Sequence, residues 1–188
     1  LDGVIPDYTV LSHDLLEGCY IRTGLVTDIE LMDRYPWRYN SYMARQHRWI
    51  RGDWQLIPWL KSQVKNSAGQ TVQNPLSALC RWKILDNLRR SLVAPFEMLL
   101  IILALTILPG NSISWVFLAL VAITVPLILG MMDAIICQHF RYCMQKHHGT
   151  IIYGLKGTLL QVGLQLIFLP YQAYMAADAI IRTLIRVC

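Results

Sequence analysis

The rhythm of apolar and polar residues changes once along this chain, near Leu92. Upstream, charged and apolar positions are mixed as on an ordinary soluble surface. Residues 8–11 alternate and predict a short strand. Asp14, with Glu17 three residues on, reads as a capping box opening a short helix to Arg22, stopped at Thr23-Gly24. Residues 25–31 (LVTDIEL) predict a second strand. Strand, helix and strand in so short a stretch is an α/β signature. Pro36-Trp37 marks a loop, and residues 41–60 predict one helix rich in Arg and Trp, ended near Pro58.

Downstream the apolar runs lengthen and acidic residues almost vanish. Residues 92–108 make up about one bilayer-spanning length, since a span needs ~20 mainly apolar residues. Pro95 and Glu97 fall in its first turns. Pro109-Gly110-Asn111-Ser112 is a turn by chemistry, and a second span is expected from Ile113 to about Ile136. The stretch from Ile151 to Leu169 is interrupted by Lys156, Gln161 and Gln165 and closed by Pro170, which favours an interfacial helix over a span. Tyr171 and Tyr174 suit the headgroup level. The soluble alternative, a hairpin of two buried core helices, fits poorly with two consecutive runs of this length.

Composition and charge sharpen that division. Of 188 residues, 55% are hydrophobic and 15% charged, with a mean hydropathy of +0.39; a soluble domain carries about 25% charged residues. The net charge of +5 argues for topology and not for nucleic acid. Arg81, Lys83, Arg89 and Arg90 precede the first run, Arg141 and Lys146 follow the second, and the loop between has neither Lys nor Arg. By the positive-inside rule residues 1–90 and 138–150 are cytoplasmic. The five cysteines are scattered and form no disulfide framework. Cys137, His139, Cys143, His147 and His148 match no standard zinc spacing. Asp133 reads as a residue at the membrane boundary. The chain begins without Met, carries nothing resembling a signal peptide and stops within an apolar stretch, so it is expected to be a piece of a larger protein.

The densest chemistry lies on the Arg/Trp helix. Arg45, Arg48 and Trp49 fall at i, i+3 and i+4 and share a face; Arg51, Asp53 and Trp54 follow within a turn. Guanidinium forks suit phosphate oxygens, and an indole face suits the apolar side of a sugar. Spacing alone favours Trp49, Trp54 and Trp59 as core or interface anchors with solvated arginines, and Asp14 as a cap.

The order of the pieces decides between these readings. Residues 12–18 (SHDLLEG), Arg22-Thr23-Gly24, Asp28-Ile29-Glu30 and residues 45–55 (RQHRWIRGDWQ), followed by apolar helices with Phe168-Leu169-Pro170 and Asp178, resemble the membrane-bound processive glycosyltransferases of the GT-A type. Within them the chain is most similar to cyclic β-1,2-glucan synthases, and more distantly to the osmoregulated periplasmic glucan glucosyltransferases. The resemblance implies an α/β fold joined to membrane helices: residues 1–61 as the C-terminal portion of a cytoplasmic GT-A domain, 62–91 a basic juxtamembrane linker, 92–136 two transmembrane helices, 137–150 a cytoplasmic loop, and 151–188 interfacial or transmembrane helices. It implies a bacterial inner-membrane protein that transfers glucose from UDP-glucose to a growing glucan with inversion. Asp14 matches the general base of a Thr-Glu-Asp motif, with His13 in place of the Glu. Arg45, Arg48 and Trp49 match a Gln-x-x-Arg-Trp motif contacting donor diphosphate and acceptor sugar, with Arg45 in place of the Gln. Asp53 and Trp54 are expected beside the substrate. A divalent metal, Mg or Mn, is implied, with ligands outside this chain. The competing reading is a membrane scaffold or transporter with a non-catalytic domain, or a synthase of another polysaccharide.

Overall fold

The computed structural model describes residues 5–6, 9–10, 14–21, 24, 29, 36–141 and 148–187. The chain forms two compact units, Leu1–Val93 with Tyr174–Cys188, and Ala94–Ala173.

In the first unit, α1 (Asp14–Tyr20) buries Leu16 and lays Leu15, Cys19 and Tyr20 around the same core, the one-sided spacing of an amphipathic helix. Helix α2 (Tyr39–Gln55) ends at Leu56, whose N–H bonds to the Asp53 carbonyl, and a 3-10 turn (Ile57–Leu60) follows. Pro58 explains the break: it has no N–H to continue the α-helical ladder but sits comfortably in the first turn of a new one. The single helix expected over 41–60 is therefore two elements. The kink drops Leu56 and Trp59 into the core beside Leu16, Val64, Leu76 and Ile84.

Strands β1 (Gln63–Lys65) and β2 (Thr71–Gln73) pair antiparallel, Val64 opposite Val72. Only Val64 is buried, which the two-residue period of a strand allows with its neighbours outward. The connecting turn is closed by the Asn66 side chain, which accepts from the Gln70 N–H at 2.8 Å, and by Gly69 at φ +74°, a left-handed conformation that glycine adopts without a Cβ clash. Asn74 then fastens the return strand. Its amide donates to the carbonyls of Trp59 (2.6 Å) and Lys61 (2.7 Å) while its oxygen accepts from the Leu76 N–H. Ser77 caps α3 (Ala78–Thr106) by accepting the Cys80 N–H at 3.2 Å, and Ile84 and Leu88, one turn apart, face inward. Within the last part of α5 (His148–Val187), Ala176, Ala179, Ile180 and Thr183 form the buried stripe.

The second unit comprises the rest of α3, α4 (Ser112–Arg141) and the first part of α5. The turn expected at 109–112 is present: Gly110 has φ +93°, and Asn111 caps α4 by accepting the Ile113 N–H at 2.9 Å. Among the described residues two helical stretches are long and apolar enough to cross a membrane, Ser112–Gly130 and Leu159–Arg186.

Several expectations change. Among the described residues the only strands are β1 and β2; the residues of the two strands expected near the N-terminus lie mostly outside the described ones. Thr9 lies in a turn, its hydroxyl donating to the Pro6 carbonyl, and residues 25–31 lie almost wholly outside the described residues. Asp14 is the first residue of α1, one position inside the expected cap, and the helix ends at Tyr20. The first expected span begins much earlier as helix, at Ala78. From Ser91, just after the arginine pair, to Thr106 it has 16 residues, about 24 Å at 1.5 Å per residue against a hydrocarbon core of about 30 Å. Pro170 does not close a helix. Alpha-5 continues through it, with buried Leu169, Ala173 and Ala176 on either side offsetting the lost rung of hydrogen bonding.

Candidate functional site

Helix α2 presents two faces. On the outer one, Arg45 lies over the Trp49 ring with its guanidinium carbon 4.5 Å from the ring centroid, within the range of a cation–π contact. Arg48, between them in sequence, is exposed, and half of Trp49 remains open. The i, i+3, i+4 spacing has thus produced one surface with two guanidinium groups and an indole. Such a surface can accept anionic oxygens through the forked N–H donors and the apolar side of a sugar through the ring.

The inner face, carrying His47 and Trp54 seven residues apart, is occupied by the protein itself. The Trp54 indole N–H donates to the Ser91 hydroxyl at 2.9 Å, and the hydroxyl donates in turn to the Leu88 carbonyl. Next to it, Asp53 accepts from the Asn87 amide at 2.7 Å. Asp53 and Trp54, expected beside the substrate, have these polar atoms engaged with α3. Higher on the helix, His47 Nε2 lies 2.9 Å from the Asp178 carboxylate, which Arg182 holds from the next turn of α5 at 2.8 Å. Sequence reasoning did not assign His47 or Arg182 a role. The available signal was an Asp and an Arg at i, i+4 in an otherwise apolar C-terminal stretch.

Asp14 is exposed in the first turn of α1, where Glu17 is the other acidic residue. Its helix is tied to the end of α2 from below: Leu16 packs in one cluster with Leu56 and Trp59, and the Trp59 indole donates to the Tyr20 hydroxyl at 3.2 Å. His13 lies outside the described residues. Among the described residues no three of His, Cys, Asp and Glu converge as a metal site. Of the cysteine and histidine cluster at 137–148, the side chains likewise fall outside what is described.

No family model matches the chain. It is similar to the cyclic beta-(1,2)-glucan synthase NdvB of Rhizobium meliloti, 38% identical over 187 residues. That alignment takes in 99% of this chain and 6% of the synthase. The likeness read from the residues 12–18 and 45–55 thus extends over nearly the whole chain, which spans only a short segment of that synthase's length.

Proposed function

We propose that this chain is part of a bacterial inner-membrane glycosyltransferase of GT-A type that extends a β-glucan, a cyclic β-1,2-glucan, with glucose from UDP-glucose. The observation that carries the reading is the outer face of α2: Arg45 stacked on Trp49 with Arg48 exposed beside them, in a chain with 38% identity to a glucan synthase.

In this reading the guanidinium groups of Arg45 and Arg48 bind the diphosphate of the donor, and charge-assisted hydrogen bonds to its oxygens strengthen as UDP departs. Trp49 supports the acceptor sugar from its apolar side. Asp14 takes the proton from the acceptor hydroxyl while that oxygen attacks the anomeric carbon from the side opposite the leaving diphosphate. The glycosidic bond forms as the bond to UDP breaks, and the configuration inverts. An exposed carboxylate at rest suits this role once substrate covers it, because a general base has to reach the hydroxyl before its basicity matters. Asp53 and Trp54 serve by fastening α2 to α3. A divalent cation, Mg or Mn, whose ligands would lie outside this chain, would supply further charge for the leaving diphosphate when bound. The two apolar helical stretches cross the bilayer, which also keeps the product's point of synthesis at the membrane.

The test is Asp14→Asn in the full-length protein, assayed in membrane vesicles with radiolabelled UDP-glucose. Loss of a general base lowers turnover by roughly 10²–10⁴-fold with unchanged membrane insertion. Turnover close to the wild type refutes the assignment.

A further inference from the structure

Helix α2 is fixed at two levels. Near its end, Trp54 and Asp53 bond to Ser91 and Asn87 of α3, and Leu56 enters the core. Two turns earlier, about 10 Å along the axis, His47 meets Asp178 near the end of α5, 131 residues away in sequence. A helix fastened at one end can still swing and roll at the other. The second tie removes that freedom where it matters, because His47 is flanked by Arg45, Arg48 and Trp49.

The chemistry of this tie is directional. Both oxygens of Asp178 are used: Arg182 Nε lies 2.8 Å from each, and His47 Nε2 lies 2.9 Å from Oδ2. A carboxylate in that setting only accepts, so His47 turns its protonated Nε2 toward it. Arg182 thereby orients Asp178, and Asp178 orients His47. The pair is part-buried, with 16% and 24% of the two side chains exposed.

We propose that Asp178, held by Arg182, is a positioning residue for transfer: through His47 it sets the roll of α2 and so aims Arg48 at the donor diphosphate and Trp49 at the acceptor sugar. This rests on the transferase reading above. In the full-length protein in membranes, Asp178→Ala and His47→Leu are expected to lower kcat/KM for UDP-glucose roughly tenfold to a hundredfold, the scale of a misplacement of about 1 Å. His47→Gln keeps an N–H donor near the position of Nε2 and is expected to retain most of the activity, at equal amounts of membrane protein. A contact that only steadied the fold would instead lower the amount and heat resistance of Asp178→Ala and His47→Leu while leaving kcat/KM unchanged at equal amounts of membrane protein. Unchanged kcat/KM in Asp178→Ala, or His47→Gln no better than His47→Leu, overturns the inference while leaving the transferase intact. If Asp178→Ala fails to accumulate, the two His47 variants decide. A wild type that transfers no glucose from UDP-glucose removes the functional reading and this inference with it.

Discussion

The two units of this chain place their large apolar side chains differently. In the first, large side chains are inside: Leu16, Leu56 and Ile84 are almost wholly enclosed, with Trp59 beside them. In the second, the buried positions described on α3 and α4 are Ala104, Ala119 and Ile123, while Phe96, Leu105, Ile107, Phe117 and Leu129 point outward. Only 12% of the apolar stretch Ser112–Gly130 is buried, whereas a soluble core helix of that composition would be enclosed on most sides. Water drives the first arrangement. The second suits a hydrocarbon surround, where large side chains lose nothing by facing out and small ones allow backbones to approach.

The largest effect expected from this contrast is in the first unit. Trp59→Ala removes the centre of the core and should destabilise that unit by about 3–5 kcal/mol, visible as rapid limited proteolysis of the full-length protein in detergent. Leu118→Ala, at a half-exposed position of α4, should leave the proteolysis pattern unchanged. Equal sensitivity at both positions would erase the distinction.

A charge probes the solvent directly. Leu118→Arg should disfavour membrane insertion by about 2.5–3.5 kcal/mol if hydrocarbon surrounds α4, measured as the inserted fraction in a translocation assay. Val72→Lys, on the exposed hairpin of the first unit, should change stability by less than about 0.5 kcal/mol. Wild-type insertion of Leu118→Arg would show that its outer face meets something other than lipid.

The smallest effect concerns two thiols packed against the first unit's core, Cys19 and Cys80, both free. Burial pushes Cys19 up to about 11, and its hydrogen bond to Cys80 adds to the shift. Burial opposes ionisation of Cys80 too, but hydrogen bonds from Cys19 and Ser77, with Lys83 nearby, outweigh it and lower its value. The thiolate is the reactive form, so iodoacetamide at pH 8 should modify Cys80 first, and the gap should narrow as the pH rises toward 11. Peptide mass spectrometry reads the order; Cys19 reacting first would contradict the arrangement.

These contrasts also mark what was legible in the residues. The Arg/Trp helix and the face shared by Arg45, Arg48 and Trp49 followed from spacing, because a helix of that length has one periodic solution. The turn at 109–112 followed from Pro, Gly and Asn. The β1–β2 hairpin went unread because three-residue strands leave too few positions for alternation to show, although Gly69 within a polar pentapeptide was its signal. The early start of α3 was hidden by its charges: Arg81, Lys83, Arg89 and Arg90 drew attention to the membrane flank, while Ile84 and Leu88 carried the helical period. Asp53 and Trp54 had the composition of a binding site, and the structure engages both with α3. Their orientation depends on Asn87 and Ser91, more than thirty residues downstream, which no local pattern contains.

Asp14 owes its location to an indole it never meets in sequence. Trp59 grips α1 twice, through the cluster it shares with Leu16 and through the hydroxyl of Tyr20, and Asn74 grips Trp59 by its carbonyl. An engineer wishing to move that carboxylate by a fraction of an ångström would leave the rim alone and resize the floor, exchanging Trp59 or Tyr20 for a slightly different volume and letting the short helix settle.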